Sequence, residues 1–182
     1  MKENRKQGDT DEGCGGIMKI YVASSWRNPY QQDVVKELRN AGHEVYDFRN
    51  PIEGDRGFHW SEIDPNWKQW SPEKYRDCLN HPIAELGFKS DYDAMEWADV
   101  FVGVQPFGRS ASLEMGWAAG NGKKTILLLE NGEPELMVKM LDHICCSIDE
   151  VIKCLSYQKT KPLPQPTKSA PVVDENEGKS GG

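Results

Sequence analysis

The chain contains no apolar stretch approaching the roughly 18 residues that a membrane-spanning helix needs. Its first residues, MKENRKQGDTDEGCGG, hold no apolar core of the kind a secretory leader requires. Neither secretion nor membrane insertion is therefore expected. Runs of Lys or Arg are also missing. With 22 basic and 29 acidic residues the net charge is -7, and the electrostatic footprint of a duplex-binding protein is not there. The five cysteines, Cys14, Cys78, Cys145, Cys146 and Cys154, are odd in number, two of them are adjacent, and no Cys-x-x-Cys pair occurs. That pattern argues against a disulfide framework and a zinc site, and for a reduced, cytoplasmic setting. No Gly-x-Gly-x-x-Gly follows the first apolar run, which argues against a dinucleotide oxidoreductase. There is no internal repeat.

What is present reads as one folded unit. A length of 182 residues suits a single domain. A hydrophobic content of 37% and a mean hydropathy of -0.70 fit a folded middle with polar ends. Residues 1–17 are polar and Gly-rich and read as a disordered leader; residues 157–182, broken by Pro162, Pro164, Pro166 and Pro171, read as a disordered tail. The body is then 18–156. Within it, MKIYVAS (18–24), HEVYDF (43–48), DVFVGV (99–104), KTILLL (124–129) and 143–146 read as strands. Helical signals alternate with them. Pro29 opens one helix with Val34, Val35 and Leu38 on its apolar face and Gly42 at its end. Helical material runs through 73–97 with breaks at His81-Pro82 and Gly87, and further helices are expected at 110–120, 133–140 and after Ser147, where a Ser-x-x-Glu box caps the last. Strands alternating with helices imply a doubly wound parallel α/β sheet of about five strands. Ligands of such sheets bind beyond the carboxyl ends of the strands at the topological switch point, which selects the loops SSWRN (24–28) and QPFGRSASLE (105–114).

Three features of these loops carry chemistry. Glu114 stands about one turn into the helix beginning near Ser110, where the dipole favours a charged carboxylate. Facing a cleft, such a group can attack an anomeric carbon; facing solvent, it would merely complement the dipole. Leu113, Gly116 and Trp117 suggest a helix packed on both sides and favour the cleft. Asp91 is the second feature. If Ser90 caps a helix and Asp93 closes the capping box, Asp91 is free to keep its proton as a general acid, the alternative being dipole decoration. Third, Ser24, Ser25 and Arg27 with Arg109 and Ser110 make a possible phosphate cradle, or ordinary surface. The aromatic segment Phe58, His59, Trp60, Trp67 and Trp70 offers either a base sandwich or a small core for a long loop. His59 has no Cys or His partner nearby, so a metal role is not expected.

The stretches KIYVASSWRN, SDYDAMEWADVFVGV and GRSASLEMGWAAGNGKKTILLL resemble the nucleoside 2-deoxyribosyltransferase-like superfamily, whose members include the deoxyribosyltransferases and the 2'-deoxynucleoside 5'-phosphate N-hydrolases. The resemblance covers about residues 19–130. Glu114-Met115-Gly116 matches the tripeptide that carries the family's catalytic glutamate, and Asp91 lies eight residues before Asp99, as the family's aspartate does. What the resemblance implies is a Rossmann-like or flavodoxin-like fold and retaining chemistry with neither metal nor cofactor. Glu114 would attack C1', Asp91 would help the base leave, and the acceptor would be a second base (a transferase) or water (a hydrolase), within nucleotide metabolism. Ser25-Trp26-Arg27 is similar to the Ser-x-Arg element with which the hydrolase branch holds a 5'-phosphate. Family members are oligomers whose sites borrow residues from a neighbour, so at least a homodimer is implied. Residues 50–80 match neither branch.

Two further readings compete with this one. A nucleotide-sensing or signalling module would keep the pocket without the chemistry. A flavodoxin would need a Ser/Thr/Gly-rich turn after the first strand, where this chain has Trp26 and Arg27.

Overall fold

The computed structural model describes residues 16–106, 108–129 and 135–156. The predicted tail, Cys14 and nearly all of the predicted leader lie outside them. Five strands form one sheet: β1 (Lys19–Ala23), β2 (Glu44–Tyr46), β3 (Val100–Val104), β4 (Lys124–Leu128) and β5 (His143–Cys145). All pairings are parallel and the order is β2-β1-β3-β4-β5. The chain winds outward in both directions from β1 and β3, so the switch point lies between them. This is the doubly wound α/β architecture that the alternation of apolar runs predicts.

Alternation along β1 divides the molecule into two layers. Ile20 and Val22 point to one face, where they pack with Val34, Val35 and Leu38 of α1 (Gln31–Asn40) and Val151 and Leu155 of α5 (Ile148–Ser156). Tyr21 and Ala23 point to the other, beneath α3 (Pro82–Trp97) and α4 (Arg109–Gly120). The residues these two helices bury are small or flexible: Ala84, Ala94 and Met95 from α3, Ala111, Met115 and Ala118 from α4. Small side chains let both helices lie close to the sheet. The helix α1 ends as expected at Gly42, whose φ of 90° only glycine adopts easily.

Two expectations change. Helix α3 starts at Pro82, with His81 Nδ1 accepting a hydrogen bond from Ile83 N, and it runs through Gly87 without a break. Ser90 is therefore a mid-helix residue and caps nothing. Asp93 pairs instead with Lys89, one turn away, at 2.6 Å. The physical reason is a strong start signal, a cap followed by Pro at the first position, placed a full two turns earlier than the serine. Residues 133–140 yield only a 3-10 turn over Leu136–Met140 within the described residues.

Between β2 and α3 the chain makes two single 3-10 turns, at Trp60–Glu62 and Trp67–Gln69, and α2 (Pro72–Cys78). Trp60 is the hub of this segment, with ring contacts to Phe58 (4.8 Å), Trp70 (5.6 Å) and Tyr75 (5.6 Å). The Trp70 indole donates to Asp64 Oδ2 at 2.6 Å. The tryptophans thus build a local core. It docks on α3 at Gly87, where an added Cβ would stand 2.7 Å from Phe58 Cβ.

Replacing Gly87 by Ala should therefore destabilise the protein. Better helix propensity contributes about 1 kcal/mol in its favour, against a steric cost of about 1–3 kcal/mol. Urea unfolding should give a lower midpoint for G87A, and near-ultraviolet circular dichroism should show a loosened tryptophan cluster.

Candidate active site

The floor of the site is an aromatic row that the sheet register dictates. Tyr21 pairs with Tyr46 on one side and with Phe101 on the other. Their rings stack, at 5.3 Å with 17° between planes and at 5.0 Å with 25°. Trp117 of α4 continues the row at 6.0 Å from Phe101, and Tyr92 of α3 meets Trp117 at 5.9 Å. Above this floor α3 contributes Asp91 and α4 contributes Glu114, and the two sequence-predicted carboxyls stand close enough to interact electrostatically.

Each carboxyl has a tyrosine from the floor. Tyr46 Oη donates to Asp91 Oδ1 at 2.8 Å and lies 3.1 Å from Ser90 Oγ. Tyr21 is fully buried, and its hydroxyl makes no hydrogen bond of regular geometry among the described residues. It nevertheless faces Glu114 closely enough to favour the ionised carboxylate. That preference is overridden. Burial, and then the charge of Asp91, push Glu114 up to about 8. Burial pushes Asp91 up to about 6; the Tyr46 hydrogen bond opposes this and Asp55 adds to it. Burial, followed by Glu114 and Asp91, likewise holds the Tyr21 phenol well above its ordinary value.

Both shifts work against ionisation, and Glu114, raised further, is the carboxyl on which burial and like charge favour the proton. The expectation from the helix dipole was the reverse. Glu114 is the sixth residue of α4, past the first turn in which the dipole acts, and it is buried beside a carboxylate. Desolvation and like charge win. As coupled groups, the two titrate as a pair holding one proton between about pH 6 and 8.

Polar contacts shape the mouth of the crevice. Ser24 Oγ donates to Val104 O at 2.8 Å and accepts from Asn28 Nδ2 at 2.9 Å, so its hydroxyl ties β1 to β3. Ser25 Oγ accepts from Arg27 N at 3.2 Å. The helix α4 begins after Gly108, where an added Cβ would lie 3.5 Å from Ser25 Cα; the β1 loop and the amino end of α4 are thus in contact. Arg27, Arg109 and Ser110 are exposed beside this junction. Behind it stands Arg49, whose Nη2 reaches the carbonyls of Ser25, Trp26 and Asn28, each at 2.9 Å. Arg49 is held by its own backbone N–H to Asp47. Burial would push Asp47 up, but hydrogen bonds from Asn50, Gln32, Gln31 and Arg49 N leave it below its usual value. Asp55, whose charge acts on Asp91, forms part of an open groove of about 750 Å³ lined by residues 52–57 together with His59, Ser61 and Glu62. Among the described residues no three His, Cys, Asp or Glu side chains converge as a metal-binding group, and no helix is long and apolar enough to cross a membrane.

Sequence reasoning did not select Tyr21, Tyr46, Asp47 or Arg49. A signal for Tyr21 existed: in KIYVA it alternates with Ile20 and Val22, which places a hydroxyl on the face opposite α1. No comparable signal marks Arg49 or Asp47, whose partners come from three different elements.

No family model matches the chain, and no curated protein matches it. Among solved structures it is similar to a 2-deoxyribosyltransferase of Bacillus psychrosaccharolyticus, with a TM-score of 0.50 and 22% identity over 73% of this chain and 89% of that one. A second similarity is to the CMP N-glycosidase of Clostridium botulinum, with a TM-score of 0.41 and 19% identity over 76% of this chain and 100% of that one. The first likeness is one of fold, and it agrees with the doubly wound sheet described above.

A carboxyl whose folded pKa is raised favours the folded state most at pH values below its unfolded pKa, and that contribution is lost as the pH rises through the folded pKa. For Glu114 the loss begins above the ordinary carboxyl value of 4.5 and is complete once the pH passes about 8. Melting temperatures measured from pH 5 to 9 should fall for the native chain, and fall by several degrees less for Glu114→Gln, which no longer titrates. Parallel curves for the two proteins would refute the buried-carboxyl assignment.

Proposed function

We propose that this chain is an enzyme that cleaves or transfers the N-glycosidic bond of a (deoxy)nucleoside or its 5'-phosphate through a glycosyl-enzyme intermediate on Glu114. The observation that carries the reading is the pair itself: Asp91 and Glu114, from adjacent helices, lie close enough for the charge of Asp91 to join burial in raising Glu114. Two carboxyls whose environments push their pKa values apart are the usual basis of acid and nucleophile roles in glycosidic chemistry. The sequence resemblance, and the fold shared with a 2-deoxyribosyltransferase, support the same class.

In the proposed cycle the proton passes from Glu114 to Asp91 as substrate enters. The freed carboxylate attacks C1' as the C1'–N bond breaks, and Asp91 gives its proton to the departing base. Water, or a second base, then attacks C1'; Asp91 takes up the proton it releases, and Glu114 is freed. Tyr21 would donate to Glu114 once that group is ionised, completing the contact its buried hydroxyl already makes with that carboxyl. The groove beside Asp55 is the side from which a base would leave. A 5'-phosphate would lie where the Ser25 loop meets the amino end of α4, within reach of Arg27, Arg109 and Ser110. Ser24 would act there as a brace for the loop.

The proposed assembly is a homo-oligomer. Leu86 and Phe88 on α3 and Leu113 on α4 are 70%, 64% and 76% exposed, on the helices that supply the two carboxyls. A second copy covering them would complete the apolar wall of the crevice. Light scattering should report at least a dimer, and Leu113→Glu should shift the mass toward a monomer.

Activity is tested by incubating the protein with pooled ribo- and deoxyribonucleosides and their 5'-monophosphates, with and without a free acceptor base, and separating free and exchanged bases by chromatography. Base release or exchange should be seen, and Glu114→Gln should lower it by about 10³-fold or more without loss of fold. The active pair carries one proton, so kcat/KM should rise through about pH 6 and fall through about pH 8. Undiminished turnover by E114Q would rule the mechanism out.

A further inference from the structure

Two cysteines meet inside the fold, outside the carboxyl crevice. Cys145 ends β5, is 2% exposed and belongs to the core beneath α1 and α5. Cys154 lies half-buried on α5, and the two sulfurs are 3.8 Å apart. Their surroundings differ in charge. The Lys124 ammonium donates to the Cys154 carbonyl oxygen and lies near the Cys154 thiol, with Asp142 on its other side. Cys145 is held up at about 12 by burial, by contact with Cys154, and by the nearby Glu150 and Cys146. Access assigns the roles: the half-buried Cys154 reacts first and Cys145, enclosed in the core, second.

We propose that Cys145 and Cys154 are a reversible disulfide site that locks α5 to β5 when a low-molecular-weight disulfide is present. The Cys154 thiolate attacks the small disulfide, forming a mixed disulfide and expelling one thiolate. Cys145 then loses its proton and attacks Cys154 Sγ, expelling the second. The two cysteines are oxidised, the small disulfide is reduced to two thiols, and the protons given up by the cysteines end on those thiols. Side-chain rotation has to bring the sulfurs from 3.8 Å to about 2.05 Å. The bond would join the last strand to the last helix and leave the crevice between α3 and α4 untouched.

The test is to incubate the full chain with oxidised glutathione under native conditions, block free thiols and digest with trypsin without reduction. Cleavage after Lys139 and Lys153 puts the two cysteines on separate peptides. The expected product is that peptide pair joined and released by dithiothreitol, with the melting temperature raised by about 5–10 °C, as closing a loop of roughly ten residues predicts. Cys146→Ser should retain the cross-link and Cys154→Ser should lose it. Recovery of Cys145 and Cys154 as free thiols, with glutathione only on the exposed Cys146, would overturn the proposal.

Discussion

Two carboxyl groups placed in one dry crevice cannot both be ionised cheaply, and the architecture around Asp91 and Glu114 follows from that constraint. The floor is aromatic, yet two of its rings, Tyr21 and Tyr46, carry hydroxyls where the carboxyls stand. Tyr46 commits its hydroxyl to Asp91 and so assists ionisation there. Tyr21 leaves its own without a regular partner beside a Glu114 that still holds a proton. The two tyrosines stack on each other and differ in what they donate to, which separates two otherwise similar acids.

A third carboxyl group, Asp47, has the opposite character. Asp47 is saturated with hydrogen bonds and stays ionised, whereas Glu114 is starved of them and does not. Its role is structural: it holds the β2 loop against α1 and so aims Arg49 at three carbonyls of the β1 loop. A loop whose carbonyls are gathered onto one guanidinium keeps its other side for ligand. Rigidity at the mouth thus originates in α1 and β2, well away from the residues that would touch a substrate.

Much of this was legible in the sequence. Short apolar runs of 4–6 residues separated by amphipathic stretches specify a parallel sheet, and the switch-point rule then points to the two loops that meet at Gly108 and Ser25. Glu114 and Asp91 were singled out by helical context and by the family resemblance, and the fold brings them together, although the capping argument for Asp91 does not hold, because Ser90 is not at a helix end. Charge states were not legible. They depend on burial and on a neighbour 23 positions away in the chain, neither of which a helix position encodes. Arg49 was opaque for the same reason: a single arginine after a strand acquires its meaning only when the β1 loop folds back over it.

The segment between β2 and α3 has a consequence for the pair. Gly87 and Asp91 are four residues apart and share one face of α3. Phe58 lies on Gly87 so closely that no larger residue fits, and Asp55, three positions before Phe58, faces Asp91. Gly57, with φ of 70° and no room for a side chain against Phe48 O, turns the chain between them. Trp26 from the β1 loop closes on the same place, with its ring 4.3 Å from His59 and 5.2 Å from Phe48. Tryptophans that serve as a local core therefore also fix the wall beside Asp91. Part of the negative field that lifts its pKa comes from Asp55 of a segment anchored by two glycines, and the acid-base balance of the pair is to that extent a property of this inserted loop rather than of the sheet.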